Sequence, residues 1–210
     1  MQDILTISGP ESTKNTFFNP GKSSPMILIC AHFGNWEFAG QAYTLASGIP
    51  LLSVMRPFDN PKIGEYIVGS RAGGMHTVCD KKGAIRPMLT QLKEGKSVAF
   101  LVDQHAQERE GVLTTFFGHP ARTHSSPALL HFKTGVPIVM MLCRKVSDNF
   151  KFEFIVEGPI TVEPSGSKEE DIKNLMQKIT YETEKVIRRY PEQWMWAHRR
   201  WLDINREKKD

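Results

Sequence analysis

Cysteine is scarce in this 210-residue chain: there are three, Cys30, Cys79 and Cys143. Their odd number and their setting within apolar runs exclude a disulfide framework and predict reduced core residues of a cytosolic compartment. No CxxC pair occurs, and His119, His124 and His131, spaced by five and seven, match no common metal-ligand pattern, so no metal site is expected. A G-x-S-x-G nucleophile elbow is missing as well; Ser70 and Ser97 lack its glycines. There is no Walker loop, and RAGG at 71–74 reads as a short glycine turn. No uninterrupted apolar run approaches the ~18 residues of a membrane-spanning helix. The N-terminal MQDILTISGPESTK does not follow the basic-then-apolar order of a signal peptide. The charge excess is small, +4 with a pI near 8.9. That is far below the density of a dedicated nucleic-acid binder, though it suits an anionic substrate or an anionic membrane face.

What is present is the composition of one globular domain, 40% apolar and 24% charged, over residues 1–210. Residues 1–25 read as a loose lead-in, because 8–25 are rich in Ser, Pro, Gly and Asn. Continuous apolar runs follow at MILICA (26–31), LLSVM (51–55), MHTVC (75–79), SVAFLV (97–102) and PIVMMLC (137–143). Such runs suit strands buried on both faces. Helical patterns lie between them. Residues 35–47 carry Trp36, Ala39, Tyr43 and Ala46 on one face, and residues 84–94 carry Ile85, Met88, Leu89 and Leu92. Asn60-Pro61 and Ser126-Pro127 open two further helices, stopped by Gly73-Gly74 and by Gly135. KFEFIVE (151–157) alternates and predicts an antiparallel edge strand. The clearest helix starts at a capping box, Ser167 with Glu170, and ends at Pro191. Alternating strands and helices predict an α/β, three-layer domain with a mostly parallel central sheet flanked by helices and one antiparallel edge strand. Residues 103–124 read as one long loop, of the kind that is usually functional.

The candidate chemistry begins at HFGNWE, residues 32–37. His32 falls just past the first strong strand, where open α/β sheets gather their sites. Gly34 lets the chain turn, and Glu37 then lies in the first turn of a helix, where the dipole favours a carboxylate. Five positions on a continuous helix would leave the two side chains roughly 140° apart. They meet only if His32 stands outside the helix. The stretch therefore reads either as a general-base pair or as a strand-to-helix turn.

Arginine is a second theme. Arg56 follows the LLSVM strand, Arg71 ends the next helix, Arg86 precedes Pro87, Arg122 sits in the long loop and Arg144 ends PIVMMLC. Guanidinium groups at strand ends suit phosphate, because they offer paired donors. Asp103 and Gln104 open the long loop, and TTFFG (114–118) puts two phenylalanines in it. Near the end, PEQWMWAHRRW (191–201) interleaves aromatic and basic residues, which fits an interfacial surface, stacked bases or a core-packing tail.

Taken in order, AHFGNWE, MRPFDNP, LKEGKSVAFLVDQ, TTFFGHPART and PEQWMWAHRRW resemble the late acyltransferases of lipid A biosynthesis. These are the lauroyl/myristoyl transferases within the lysophospholipid acyltransferase superfamily, and the resemblance spans residues 26–201. It implies a membrane-associated O-acyltransferase on the cytoplasmic face of the inner membrane. Such an enzyme moves a fatty acyl group from acyl carrier protein to a hydroxyl of a glycolipid such as a lipid A precursor, with no cofactor. Another lysolipid or glycolipid acceptor, a catalytically silent lipid-binding relative and a thioesterase are the alternatives. The resemblance makes His32 the general base and Glu37 its partner. It gives Arg56 and Arg71 to phosphate or phosphopantetheine phosphate, and Asp103 and Gln104 to site architecture or acceptor contact, while Arg122 in the long loop is a further substrate-binding candidate. Backbone N–H groups at Gly34 and Asn35 are the expected oxyanion donors. Family members usually carry an N-terminal membrane helix region ahead of the H-x4-E block. This chain begins almost at that block, so a peripheral form is expected.

Overall fold

The structure is a computed structural model. It describes residues 4–55, 60–72, 75–147 and 149–202, with the backbone alone at 67 and 70–72. In chain order the strands are β1 (Leu5–Ser8), β2 (Ile27–Cys30), β3 (Leu51–Met55), β4 (His76–Asp80), β5 (Ser97–Leu101), β6 (Gly111–Phe116), β7 (His119–His124), β8 (Ile138–Ser147) and β9 (Lys151–Glu157). The helices are α1 (Glu11–Phe17), α2 (Trp36–Ser47), α3 (Pro61–Ala72), α4 (Ile85–Lys93), α5 (Ser126–Thr134) and α6 (Lys168–Arg189). Seven strands form one sheet in the order β1-β9-β8-β2-β5-β3-β4. Every pairing in it is parallel except β8 with β9.

The central strands are apolar throughout because both faces are covered. In β2, Ile27 and Ile29 face a core built with α4, α5 and α6, and Leu28 faces a second core built with α1 and α2. Successive side chains point to opposite faces, so a four-residue strand serves two layers of packing. Each such fully buried Ile or Leu contributes about 1.5–3 kcal/mol. The helix boundaries follow their caps. The Asn35 side chain accepts the Phe38 N–H at 3.0 Å, and Gly48 closes α2 in the left-handed region. Ser167 accepts the Glu170 N–H at the start of α6.

Three expectations change. Residues 1–25 are not a loose lead-in throughout: Leu5 to Ser8 pair in parallel with Phe152 to Ile155, and α1 buries Thr13 and Phe17. Consequently β9, though antiparallel to β8 as expected, is an inner strand, and β1 is the edge. The long loop of 103–124 contains the β6–β7 hairpin, joined through Phe117 and Gly118, both at positive φ. That two-residue turn matches the twist of the paired strands. The hairpin rests on α6, where Gln177 bonds both the N–H and the carbonyl of Thr115.

Candidate active site

Strands β2 and β5 are neighbours, and their register pairs Cys30 with Leu101. His32 and Asp103 each lie two residues beyond that pair, so the sheet brings them together at its carboxyl edge. The His32 backbone N–H donates to Asp103 Oδ2 at 2.8 Å, and His32 Nδ1 lies 2.9 Å from Oδ1. The Trp194 indole N–H donates to Oδ2 at 2.9 Å. The Asp103 side chain is fully enclosed, and that of His32 is 13% exposed. Burial by itself pushes the Asp103 carboxyl up. The hydrogen bond and charge of His32, the Trp194 indole and the His32 amide outweigh it and hold the group below its ordinary value. Asp103 is therefore a carboxylate, which only accepts. In a neutral imidazole this bond places the proton on Nδ1 and the lone pair on Nε2.

The segment bearing His32 is clamped on both sides. Phe33 bridges Trp194 and Gly34 bridges Cys143. The Gly34 N–H donates to the Gln193 carbonyl at 2.8 Å, and the Asn35 N–H donates to the Cys143 carbonyl at 3.1 Å. The Met195 N–H donates to the His32 carbonyl at 2.9 Å. Gly34 has φ +55°, and a Cβ there would collide with the Cys143 carbonyl oxygen. His32 also meets two rings edge-on, His198 at 4.3 Å and Trp36 at 5.3 Å between centroids. Burial and the neighbouring His32 push the His198 imidazole below its ordinary value, with Asp103 opposing them.

A cavity of about 810 Å³ opens beside His32. One part runs over the sheet face under α2, along Leu28, Ala39, Gly40, Leu51, Ala99 and Met141. The other runs over the opposite face past Phe100, Val102, Ile85 and Leu129 to a polar rim with Lys81, Arg109, Glu110 and His124. An apolar cleft with a few convergent polar groups is the usual form of a small-molecule site. Ligand atoms of His32, Asp103 and His198 lie within 4.8 Å of one another, a spacing within reach of a metal ion. A cation there would have to displace the His32 Nδ1 proton from Asp103, which already accepts three hydrogen bonds.

The model of the bacterial lipid A biosynthesis acyltransferase family matches residues 17–203. The chain belongs to this family. It is 27% identical to the lipid A biosynthesis lauroyltransferase of Escherichia coli (strain K12) over 176 residues, covering 83% of the chain and 55% of that protein. It is 23% identical to a lipid A biosynthesis acyltransferase of Haemophilus influenzae over 189 residues, 88% of the chain and 55% of the relative. With the E. coli palmitoleoyltransferase the figures are 24% over 177 residues, again 83% and 55%. The chain thus spans about half the length of the curated relatives it matches. No helix of the described residues is long and apolar enough to cross a membrane.

In this family member the expected site residues separate. His32 stands where expected, but the carboxylate bonded to its ring is Asp103 rather than Glu37. Glu37 lies exposed in the first turn of α2 and lines the cavity. The amides of Gly34 and Asn35 are committed to Gln193 and Cys143, which removes them as oxyanion donors in this arrangement. Gln104 lines the cavity, and its carbonyl accepts from Arg200. Arg122 is half-buried in β7 and does not line this cavity; its carbonyl accepts from Arg200 and Ala106. Arg56 and the Arg71 side chain lie outside the described residues.

Sequence reasoning missed Trp194 and His198 as site residues. The available signal was the crowding of PEQWMWAHRRW, because a buried indole N–H needs a partner. Only part of that segment is core packing: Trp194 and Arg200 are buried, whereas Trp196 and Arg199 are exposed. Arg200 is 1% exposed and bonds Gln104, Arg122 and Thr123. Trp194, Trp201, Phe116 and Phe117 form an aromatic cluster below it.

Proposed function

We propose that the chain is an O-acyltransferase that moves a fatty acyl group from acyl carrier protein to a hydroxyl of a glycolipid of the lipid A type. The observation that carries this reading is the enclosed His32–Asp103 pair at the rim of a largely apolar cavity, in a chain of this family. Direct transfer needs one base and no covalent enzyme intermediate. The acceptor hydroxyl attacks the thioester carbonyl while His32 Nε2 takes its proton. Asp103 holds the ring in the required tautomer and stabilises the imidazolium as it forms. The carbon–oxygen bond forms, the carbon–sulfur bond breaks, and the thiolate leaves with the proton returned by His32. The apolar walls under α2 suit the acyl chain.

Glu37 is assigned to substrate contact from the cavity wall rather than to holding the ring. Its place in the first turn of α2 favours a carboxylate there. The acyl carrier protein and the inner-membrane surface are the partners of this reading. The test is mass spectrometry of lipids from cells with and without the gene. A gain of one acyl unit on a glycolipid supports the reading and names the donor length. An unchanged lipid profile together with free fatty acid release would sink it in favour of a thioesterase.

A further inference from the structure

Strand β8 outruns the sheet around it. Gly34, in the turn that carries His32, bridges β8 at Cys143, and β8 runs on to Ser147 before β9 returns from Lys151. At ~3.3 Å per residue the hairpin projects about 13 Å past the level of the catalytic turn, on the same edge of the sheet. Its stem is fixed. Arg144 donates to Glu153 across the pair at 2.9 Å and lies over the Tyr190 ring at 4.2 Å. The Lys145 N–H donates to the Gln193 side chain at 3.2 Å.

The tip has another character. Phe150 is 76% exposed and has φ +53°. Folding alone favours neither: the ring is left in water, and the left-handed region suits glycine. Val146 on β8 and Ile4 ahead of β1 are exposed at the same end. The Ile4 carbonyl is held there by the Phe152 N–H at 2.7 Å. Lys145 and Lys151 flank the tip, against one acid, Asp148, in the sequence 145–151. Inward from the tip the rings continue. Phe150 meets Phe152 edge-on at 6.2 Å, and Phe152 meets Phe38 at 4.7 Å. Phe38 follows Glu37 in the first turn of α2, at the wall of the catalytic cavity.

We propose that the β8–β9 tip is a lipid-docking surface, with Phe150 entering the headgroup region of an anionic bilayer while Lys145 and Lys151 meet its phosphates. An aromatic ring flanked by lysines is the chemistry of a membrane interface. A single protruding ring suits a fluid partner that deforms round it; a folded protein would need a matching pocket. Interfacial elements sink about 5–10 Å, and that depth brings the mouth of the catalytic cavity close to the lipid surface. A glycolipid acceptor would then be met without leaving the bilayer. The purpose of the surface rests on the acyltransferase reading, but docking is measured without turnover.

The full chain is sedimented with vesicles of phosphatidylethanolamine and phosphatidylglycerol, and with vesicles of phosphatidylcholine alone. Phe150→Gly is the first variant, because it removes the ring and relieves the positive φ, so folding is kept. Affinity for the anionic vesicles falls about tenfold or more, as expected for one lost aromatic ring, and the loss persists in high salt. Lys151→Ala lowers it roughly fivefold at low salt, and added salt erases that difference. Thiol release from an acyl thioester in detergent solution is unchanged in both, since neither residue lines the cavity. Equal vesicle binding by Phe150→Gly and the unaltered protein overturns the assignment, as does unaltered protein that binds neither vesicle or both alike. Loss of affinity for acyl carrier protein with vesicle binding intact overturns it in favour of a protein-docking surface. Vesicle binding as predicted, with no ester formed on any acceptor, contradicts the proposed reaction and leaves the docking surface standing.

Discussion

Replacing Asp103 with Asn tests the base most sharply, because the shape is kept and the charge is removed. Three donors converge on the carboxylate: His32 Nδ1–H on Oδ1, and the His32 amide and Trp194 indole on Oδ2. An amide has one acceptor oxygen. Turned to keep the two bonds at Oδ2, it presents its NH2 to Nδ1. The ring must then accept there, and its proton moves to Nε2, where the base is needed. The corresponding change in a Ser-His-Asp triad lowers kcat by about 10⁴ through the same loss of tautomer, and a similar fall is expected here. Turned the other way, the amide meets two N–H donors and costs about 1–3 kcal/mol for unmet groups. The assay is thiol release from an acyl thioester, with urea unfolding to show that the variant folds. Stability against pH gives a second reading. The folded Asp103 carboxyl titrates below its ordinary value, so it stays charged where the unfolded chain has begun to take up the proton. Its contribution is complete above the unfolded value of ~3.9 and is lost as pH falls through the lower folded value. The Asn variant lacks this acid-side loss. A folded variant with turnover within tenfold of the unaltered protein would show that Asp103 does not set the tautomer of a catalytic base.

Other changes separate the neighbouring roles. Glu37→Gln should cost less in kcat than Asp103→Asn, because the Asp103 bond to the ring survives it; steady-state kinetics of the two side by side decides. Gly34→Ala should lose at least ~1–2 kcal/mol in urea unfolding, since it combines a left-handed φ with a collision against the Cys143 carbonyl. Ser97→Ala should cost about 1–3 kcal/mol and leave kcat alone. Ser97 Oγ accepts the buried Met26 N–H and pairs with the Tyr43 hydroxyl, away from His32. Burial pushes the Cys30 and Cys143 thiols up to about 12, so at pH 8 a thiol reagent should label both only after denaturation.

The buried strands were legible because a parallel sheet covered on both faces needs apolar runs, and α2, α5 and α6 were legible because their caps are local. What failed was non-local. The strand LTIS is short, and its partner β9 lies 146 residues away, so nothing near residue 5 marks it. The hairpin turn puts Phe117 at positive φ where Asn-Gly would have announced it. His32 and Asp103 are 71 residues apart and meet because β5 inserts beside β2, with β3 and β4 placed outside it. Spacing along the chain favoured Glu37, five residues from His32; the sheet order favours Asp103. The five ordered blocks led to the right family, yet the carboxylate bonded to His32 needed the topology.

The role of His32 is decided by the product of one reaction, run with the unaltered protein and with His32→Ala. Each is incubated with an acyl-carrier-protein thioester and a glycolipid acceptor, and the acceptor is weighed by mass spectrometry. The prediction is a gain of one acyl unit with the unaltered protein and none with the folded variant. An equal gain from both would contradict a base at His32.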